Sequence, residues 1–213
     1  MSEYGYIPEA PDQSPFNNKG IFAPNDIYDL VRADKWTPEL GQLEFIQTQT
    51  VDDADHSEEI TAVDFTSLGN YKVHFLTYNN LQLQGYGYPS LRFYESGVLE
   101  TAAVYQYAYQ DGISSNTFSE QNSTGDDFLR LGKNAYQNLN GYVYLHNLID
   151  SSKYSFVTSH SSMVEGNNLG NQMSFGSGLL PQASAVSGIR FTADPAQFIG
   201  AVEISLYGIK EYS

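Results

Sequence analysis

From residue 43 to the end of the chain, hydrophobic and polar residues alternate with a period of two. This period is typical of β-strands, whose successive side chains point to opposite faces of a sheet. About ten segments show it, and runs rich in Gly, Asn, Ser and Asp separate them. The segments are LEFIQTQTV (43–51), ITAVDF (60–65), YKVHFLTYNNLQL (71–83), LRFY (91–94), AVYQYAYQ (103–110), FLRL (128–131), GYVYLHNL (141–148), YSFVTSH (154–160), GIRFTA (188–193) and AVEISLYGI (201–209). Because no helical crossovers lie between them, the pattern predicts an all-β fold, an antiparallel β-sandwich with a jelly-roll-like topology.

The first 40 residues lack this alternation and are predicted to form an N-terminal anchoring arm ahead of a β-sandwich domain at 41–213. Five of the eight prolines fall in this stretch, and proline fixes φ and removes a backbone donor, which excludes a central strand. Residues 1 to about 20 are expected to be extended, and one short helix is expected to follow them.

The segment GIFAPNDIYDLVRADKW (20–36) is predicted to contain this helix, with Asn25 as its N-cap. Three aliphatic residues share one helical face, and two aromatic residues lie close by in the sequence. Such a patch is unusually apolar for an acidic chain, and exposed apolar patches mark contact sites. The predicted partner-binding residues are Phe22, Ile27, Leu30, Val31 and Trp36. The alternative is a helical turn that folds back and closes one end of its own domain.

Two stretches between the predicted strands are candidates for functional loops. SSMVEGNNLGNQMSFGSGLLPQAS (161–184) shows no alternation and predicts a long irregular loop, which is usually functional or mobile. VDDADHSEE (51–59) gathers carboxylates beside His56, a composition that suits calcium, but it lacks the EF-hand spacing. A solvated acidic loop is the preferred interpretation, and we predict no metal and no cofactor.

Composition narrows the classes of partner. The chain has 10 Lys and Arg residues against 25 Asp and Glu residues, a net charge of −15, so nucleic acid and anionic membrane surfaces are unlikely partners. It has no cysteine, which suits folding in a reducing cytosol. No secretory signal and no apolar run long enough for a membrane helix is seen, so export by lysis is expected for a protein acting outside the cell.

Histidine and tyrosine residues suggest a ligand face on the strands. On alternation, His74 shares a face with Lys72, Leu76 and Tyr78. The second set, on another strand, is Tyr142, Tyr144, His146 and Leu148. If the two faces coincide on one sheet, rings and polar tips together form a platform that suits glycans. The predicted ligand-binding residues are Tyr142, Tyr144 and His146. The alternative is that these tyrosines are half-buried core residues, as the series Tyr105, Tyr107 and Tyr109 is expected to be.

No catalytic motif is present. The glutamates are scattered, the G-x-S-x-G sequence of serine hydrolases is absent, and the glycine-rich stretch lacks the lysine of a phosphate-binding loop. We therefore expect a protein that is not an enzyme, and a glycoside hydrolase of sandwich fold is kept only as a remote alternative.

Three patches carry a family resemblance. SGIRFTADPAQFIGAVEISLYGIK (187–210) resembles the closing pattern of virion structural proteins from tailed bacteriophages, notably marine and cyanobacterial ones. Residues 20–36 are similar to the amino-terminal segment of phage tail-fibre and appendage proteins, and YVYLHNLIDSSKYSFVT (142–158) is similar to their middle strands.

The resemblance implies a virion protein, assembled in the host cytoplasm as a homo-oligomer, with a trimer favoured. Its arm would dock on another virion protein and its β-sandwich would be displayed outward. Two roles stay open: a tail fibre that attaches to a host surface glycan, and a capsid decoration protein without receptor binding. A free carbohydrate-binding module is the alternative outside the virion.

Overall fold

The computed structural model divides the chain into two compact units, Met1–Gln42 with Glu211–Ser213, and Leu43–Lys210. The structure describes residues 13–14, 17–18, 24–32, 43–53, 55, 57–114, 117–133, 138–164 and 170–210. No helix within these ranges has the length and hydrophobicity that a membrane span requires.

The first unit contains a short hairpin and one helix. Strands β1 (Gln13–Ser14) and β2 (Asn17–Asn18) pair antiparallel, and helix α1 covers Pro24–Arg32. Proline suits the first helical position because its missing N–H would have no partner there. The helix thus begins one residue before Asn25, which lies in the first turn, so the prediction that Asn25 is the N-cap is wrong.

The described part of the second unit contains thirteen strands. They are β3 (Leu43–Asp52), β4 (Ala62–Phe65), β5 (Val73–Leu83), β6 (Tyr88–Glu95), β7 (Val98–Leu99), β8 (Tyr105–Ile113), β9 (Thr117–Asp126), β10 (Leu129–Arg130), β11 (Leu139–His146), β12 (Ser155–Val164), β13 (Asn171–Leu180), β14 (Val186–Asp194) and β15 (Ile199–Ile209).

These strands form two antiparallel sheets. The large sheet has eight strands in the order β3-β15-β5-β11-β12-β13-β8-β9, and the small sheet has the order β10-β6-β14-β4 with β7 paired to β6. Successive strands pass repeatedly from one sheet to the other. The predicted all-β antiparallel sandwich is confirmed.

The core lies between the two sheets. The Tyr78 ring of the large sheet contacts the Phe191 ring of the small sheet, with 5.3 Å between ring centroids, and neither side chain is exposed. A second contact joins Phe93 to Tyr105, whose hydroxyl oxygen accepts a hydrogen bond of 2.9 Å from the Phe93 amide. The interpretation of Tyr105, Tyr107 and Tyr109 as core residues is confirmed, since all three side chains are buried.

The two-residue strand β7 and two long strands, β13 and β9, were not predicted. The segment 161–184 is not an irregular loop, because β12 extends to Val164 and β13 pairs with it along its whole length. Strand β9 covers a polar stretch that the sequence indicates as turns. Both strands are rich in Gly, Ser, Asn and Gln, and they form because neighbouring backbones satisfy their hydrogen bonds, a tertiary effect that overrides local propensity.

The Phe191→Ala substitution is expected to destabilise the sandwich by about 3–5 kcal/mol, because it leaves a cavity where the two sheets meet. The matched control is Val98→Ala, which removes an apolar side chain that is 71% exposed and is expected to change stability by less than about 0.5 kcal/mol. Urea denaturation followed by circular dichroism measures both. Equal effects of the two substitutions would show that the Tyr78–Phe191 contact does not join the sheets.

Candidate functional site

A row of aromatic rings crosses the outer face of the large sheet. Phe45 on β3, Tyr207 on β15, Phe75 on β5 and Tyr144 on β11 are register partners on four adjacent strands. The distances between ring centroids are 5.9 Å for Phe45 and Tyr207, 6.3 Å for Tyr207 and Phe75, and 4.8 Å for Phe75 and Tyr144. Because strand side chains alternate between faces, these rings point away from the core. We call these four residues the aromatic row.

The three predicted ligand residues lie on this same outer face. Tyr142 and Tyr144 are 39% and 36% exposed, so both are exposed residues and not the half-buried core residues of the alternative interpretation. Tyr142 contacts the His160 ring at 5.4 Å and the Phe75 ring at 5.9 Å. His146 pairs with Val73 and Phe156, one row beyond Tyr144. That these residues bind a ligand stays a prediction.

The second half of the expected platform is on the other side of the sheet. His74, Leu76 and Tyr78 have no exposed surface and point into the core. The His74 Nε2 atom is 2.8 Å from the Leu68 carbonyl oxygen, and burial lowers the pKa of the ring despite this bond. The two faces therefore do not coincide, and the condition for a platform built from both of them is not met. Strands β5 and β11 pair so that Phe75 lies beside Tyr144 and Thr77 lies beside Tyr142, so the outward residues of β5 are Phe75 and Thr77.

A shallow depression of about 330 Å³ lies beside the aromatic row. Phe75, Tyr142 and His160 supply its rings, and the hydroxyl and amide groups come from Thr77, Asn79, Asn140 and Ser162. Rings bind the flat faces of sugars, and amides and hydroxyls bind their hydroxyl groups. The depression therefore has the groups that a polar, uncharged ligand requires.

The five adjacent strands β5, β11, β12, β13 and β8 carry almost no formal charge. Within their bounds they contain one Asp and no Glu, Lys or Arg, although the chain as a whole has a net charge of −15. That residue, Asp111, points inward and is 1% exposed. The centre of the outer face is thus an uncharged aromatic and polar surface on an acidic protein.

The outer face of the small sheet has the opposite chemistry. Three of the four arginines in the chain lie there, and each forms a salt bridge and covers a ring. The pairs are Arg92 with Asp127 and Phe128, Arg130 with Asp194 and Tyr88, and Arg190 with Asp64 and Tyr94. Partial burial raises the pKa of Asp64, but hydrogen bonds from Arg190 and Tyr94 outweigh it, and the pKa is lowered. These charges are engaged with one another, so this face is a poorer binding surface.

The acidic loop is closed by its own hydrogen bonds. The Asp53 carboxylate accepts hydrogen bonds from the amides of Ser57 at 2.9 Å and Glu58 at 3.0 Å, and its side chain is buried. His56 lies outside the described residues. Among the residues that the structure does describe, no group of three or more His, Asp and Glu side chains is arranged to hold a metal ion.

The predicted partner-binding patch of the arm is only partly described. Ile27 is half-buried on α1, between exposed residues at both ends of the helix. Phe22 and Trp36, and the side chains of Leu30 and Val31, lie outside the described part of the chain. The docking role of the patch stays a prediction.

Comparison with models of protein families, with curated proteins and with solved structures finds no match for this chain. The geometry of the sandwich and the resemblance of its sequence patches are therefore the basis for a functional proposal.

Beneath the uncharged face, polar side chains cross the inner side of the large sheet. Ser161, Ser174 and Asp111 are register partners on β12, β13 and β8. The Asp111 carboxylate accepts hydrogen bonds from the hydroxyls of Ser174 and Ser119, and Ser174 also accepts one of 3.1 Å from the Lys133 amide. Burial raises the pKa of Asp111, and the hydrogen bond from Ser174 opposes the rise.

The pKa shifts of Asp111 and Asp64 have opposite signs, so the two residues are expected to change the free energy of unfolding in opposite directions as pH rises. The folded-state pKa of Asp111 is raised, so its carboxyl group stabilises the fold below the unfolded pKa, and that stability is lost as pH rises through the folded pKa. The folded-state pKa of Asp64 is lowered, so its contribution is present above the unfolded pKa and is lost as pH falls.

The free energy of unfolding of the wild type, minus that of Asp111→Asn, is therefore expected to fall as pH rises from about 3 towards neutrality. For the control Asp64→Asn the same difference is expected to rise. Urea denaturation across this pH range measures both. Parallel curves for the two variants would contradict the effect of burial on Asp111.

Proposed function

We propose that the protein is a non-enzymatic structural component of a bacteriophage virion, in which the β-sandwich is displayed outward and binds a neutral glycan of the host surface. The observation that carries this proposal is the aromatic row with its adjoining depression, set among strands without formal charge. In this proposal the glycan binds to that surface. The outer face of the small sheet is not used for binding, because its arginines form salt bridges with aspartates.

The charge pattern supports a neutral ligand. A polyanion such as nucleic acid or an acidic polysaccharide needs clustered cations, and the outer face of strands β5, β11, β12, β13 and β8 has no Lys or Arg. A cationic ligand would bind near carboxylates, which these strands turn away from this face. Ring stacking and hydrogen bonds to hydroxyls need neither charge.

The virion assignment rests on the sequence resemblance, and two of its three patches include residues of this surface. Residues 187–210 include most of β14 and all of β15, which carries Tyr207. Residues 142–158 include Tyr142 and Tyr144. The similarity to phage appendage proteins therefore covers side chains of the aromatic row and not only turns or core positions.

Attachment to the particle is assigned to the arm. We place the contact with another virion protein on the patch around Ile27 in α1, and we expect the assembled form to be a homotrimer. A free carbohydrate-binding module is the second candidate, because the aromatic row alone would support binding without any particle. A capsid decoration protein would raise particle stability without binding glycans.

Replacing both Tyr142 and Tyr144 with Ala is expected to weaken glycan binding at least tenfold, because the variant loses two rings of the face, and stacking is worth about 1 kcal/mol or more per ring. Binding is measured by calorimetry against a panel of neutral surface glycans. The control is Tyr86→Ala, which removes an exposed ring from the loop between β5 and β6. If the wild type binds no glycan in the panel, the proposed attachment to host glycans is wrong and a role as a capsid decoration protein is favoured.

The Ile27→Asp substitution is expected to reduce incorporation of the full-length protein into particles several-fold, because it puts a charge on the apolar face of the helix. The control is Asp29→Ala at an exposed position of the same helix. Quantitative mass spectrometry of purified particles measures incorporation, and circular dichroism checks that both variants fold. If the Ile27→Asp variant folds and is incorporated normally, the proposal that the arm docks on another virion protein is contradicted.

A further inference from the structure

A second, larger depression of about 500 Å³ lies on the same outer face, across β12, β13, β8 and β9. Its floor is formed by Thr158, Ser177 and Ala108, which are register partners on three adjacent strands. Asn122, the partner of Ala108 on the edge strand β9, continues the row. We call this depression the transverse groove, because its floor runs across the strands.

Larger side chains stand along one wall of the transverse groove. Phe175, Gln110 and Glu120 are register partners on β13, β8 and β9, two residues along each strand from the floor. Two residues along a strand span about 7 Å, so these side chains rise beside the floor rather than over it. The Phe175 ring is 44% exposed, which leaves much of its surface available for contact.

The groove is long in one direction. Neighbouring strands are about 4.8 Å apart, so the floor from Thr158 to Asn122 spans about 14 Å over four strands. Beyond Thr158 the row continues to Tyr144, the last residue of the aromatic row. At the other end the groove opens at β9, which is the edge strand of the large sheet among the residues that the structure describes. An extended ligand fits this shape better than a compact one.

We propose that the transverse groove binds an extended segment of a neutral oligosaccharide, which lies across the strands with one sugar ring against Phe175. The polar groups of Gln110, Glu120 and Asn122 then bind sugar hydroxyls. This inference rests on the proposed glycan-binding function. It adds to that function a second subsite, which binds several sugar units and orients the oligosaccharide across the strands.

The composition of the lining selects this ligand class over the others. Small side chains on the floor let the ligand approach the sheet closely, and a carboxylate with three amides offers acceptors and donors for hydroxyl pairs. Glu120 is the one charged residue in the lining, and it repels anions.

Ala108→Tyr tests the groove by filling its floor from an outward position on β8. Binding of gluco- and manno-oligosaccharides of one to six units to the full-length protein is measured by calorimetry. The wild type is expected to bind chains of several units more tightly than single sugars, and Ala108→Tyr is expected to lower the affinity for these chains at least tenfold. Phe175→Ala is expected to lower it about fivefold, because the stacking surface is lost.

The matched control is Thr50→Tyr, which adds the same ring at an exposed position on β3, on the same face but outside both depressions. The affinity of the Thr50→Tyr variant for the oligosaccharides is expected to stay within about twofold of that of the wild type. Circular dichroism and thermal unfolding check that all variants fold.

The possible failures are distinct. If the wild type binds the oligosaccharides, and the double variant with Ala at 142 and 144 loses binding, but Ala108→Tyr does not, the transverse groove is not a subsite and the proposed function stands. If the wild type binds none of them, the attachment function itself is overturned. If Ala108→Tyr abolishes self-association in sedimentation velocity and leaves sugar binding unchanged, the groove is an interface between copies and the inference is overturned.

Discussion

Face-to-face packing of two unequal sheets is the constraint on which the rest of the molecule depends. Tyr78 and Phe191 meet at its centre, without exposed surface on either side chain. Because successive side chains along a strand point to opposite faces, a residue whose side chain packs in this core has two neighbours whose side chains point to the outer face. The register that buries Leu76 and Tyr78 is thus the same register that presents Phe75 and Thr77 on the outside. The pattern of side chains on the outer face therefore follows from the core.

The strands with strong alternation of apolar and polar residues were predictable from the sequence, because burial of one face leaves a period of two. β5, β11 and β15 are of this kind, and the sandwich class follows from them. β9 and β13 were not, because Gly, Ser and Asn are equally typical of turns. What makes them strands is a partner backbone far away in sequence, and no local pattern records such a partner.

The same limit applied to the candidate site. Tyr142 and Tyr144 were found because two aromatic residues in alternation mark one face of a strand. Which strand lies beside them, and in which register, depends on pairing, so the sequence did not decide whether the His74 face and the Tyr142 face coincide. Phe75 carried part of the missing signal, because alternation from the apolar Leu76 would have placed it on the outer face together with Thr77, although not beside Tyr144. Two of the four strands that line the transverse groove, β9 and β13, were not predicted, and the position of the groove depends on tertiary structure.

The floor residues Thr158, Ser177 and Ala108 point away from the sheet interior, and their contribution to holding the two sheets together is small. Substitutions there reshape the surface while leaving the free energy of folding nearly unchanged. Proteins tolerate sequence drift best where stability is not at stake. One scaffold of this kind therefore evolves new recognition surfaces at little cost, an advantage for any molecule whose target on another organism keeps changing.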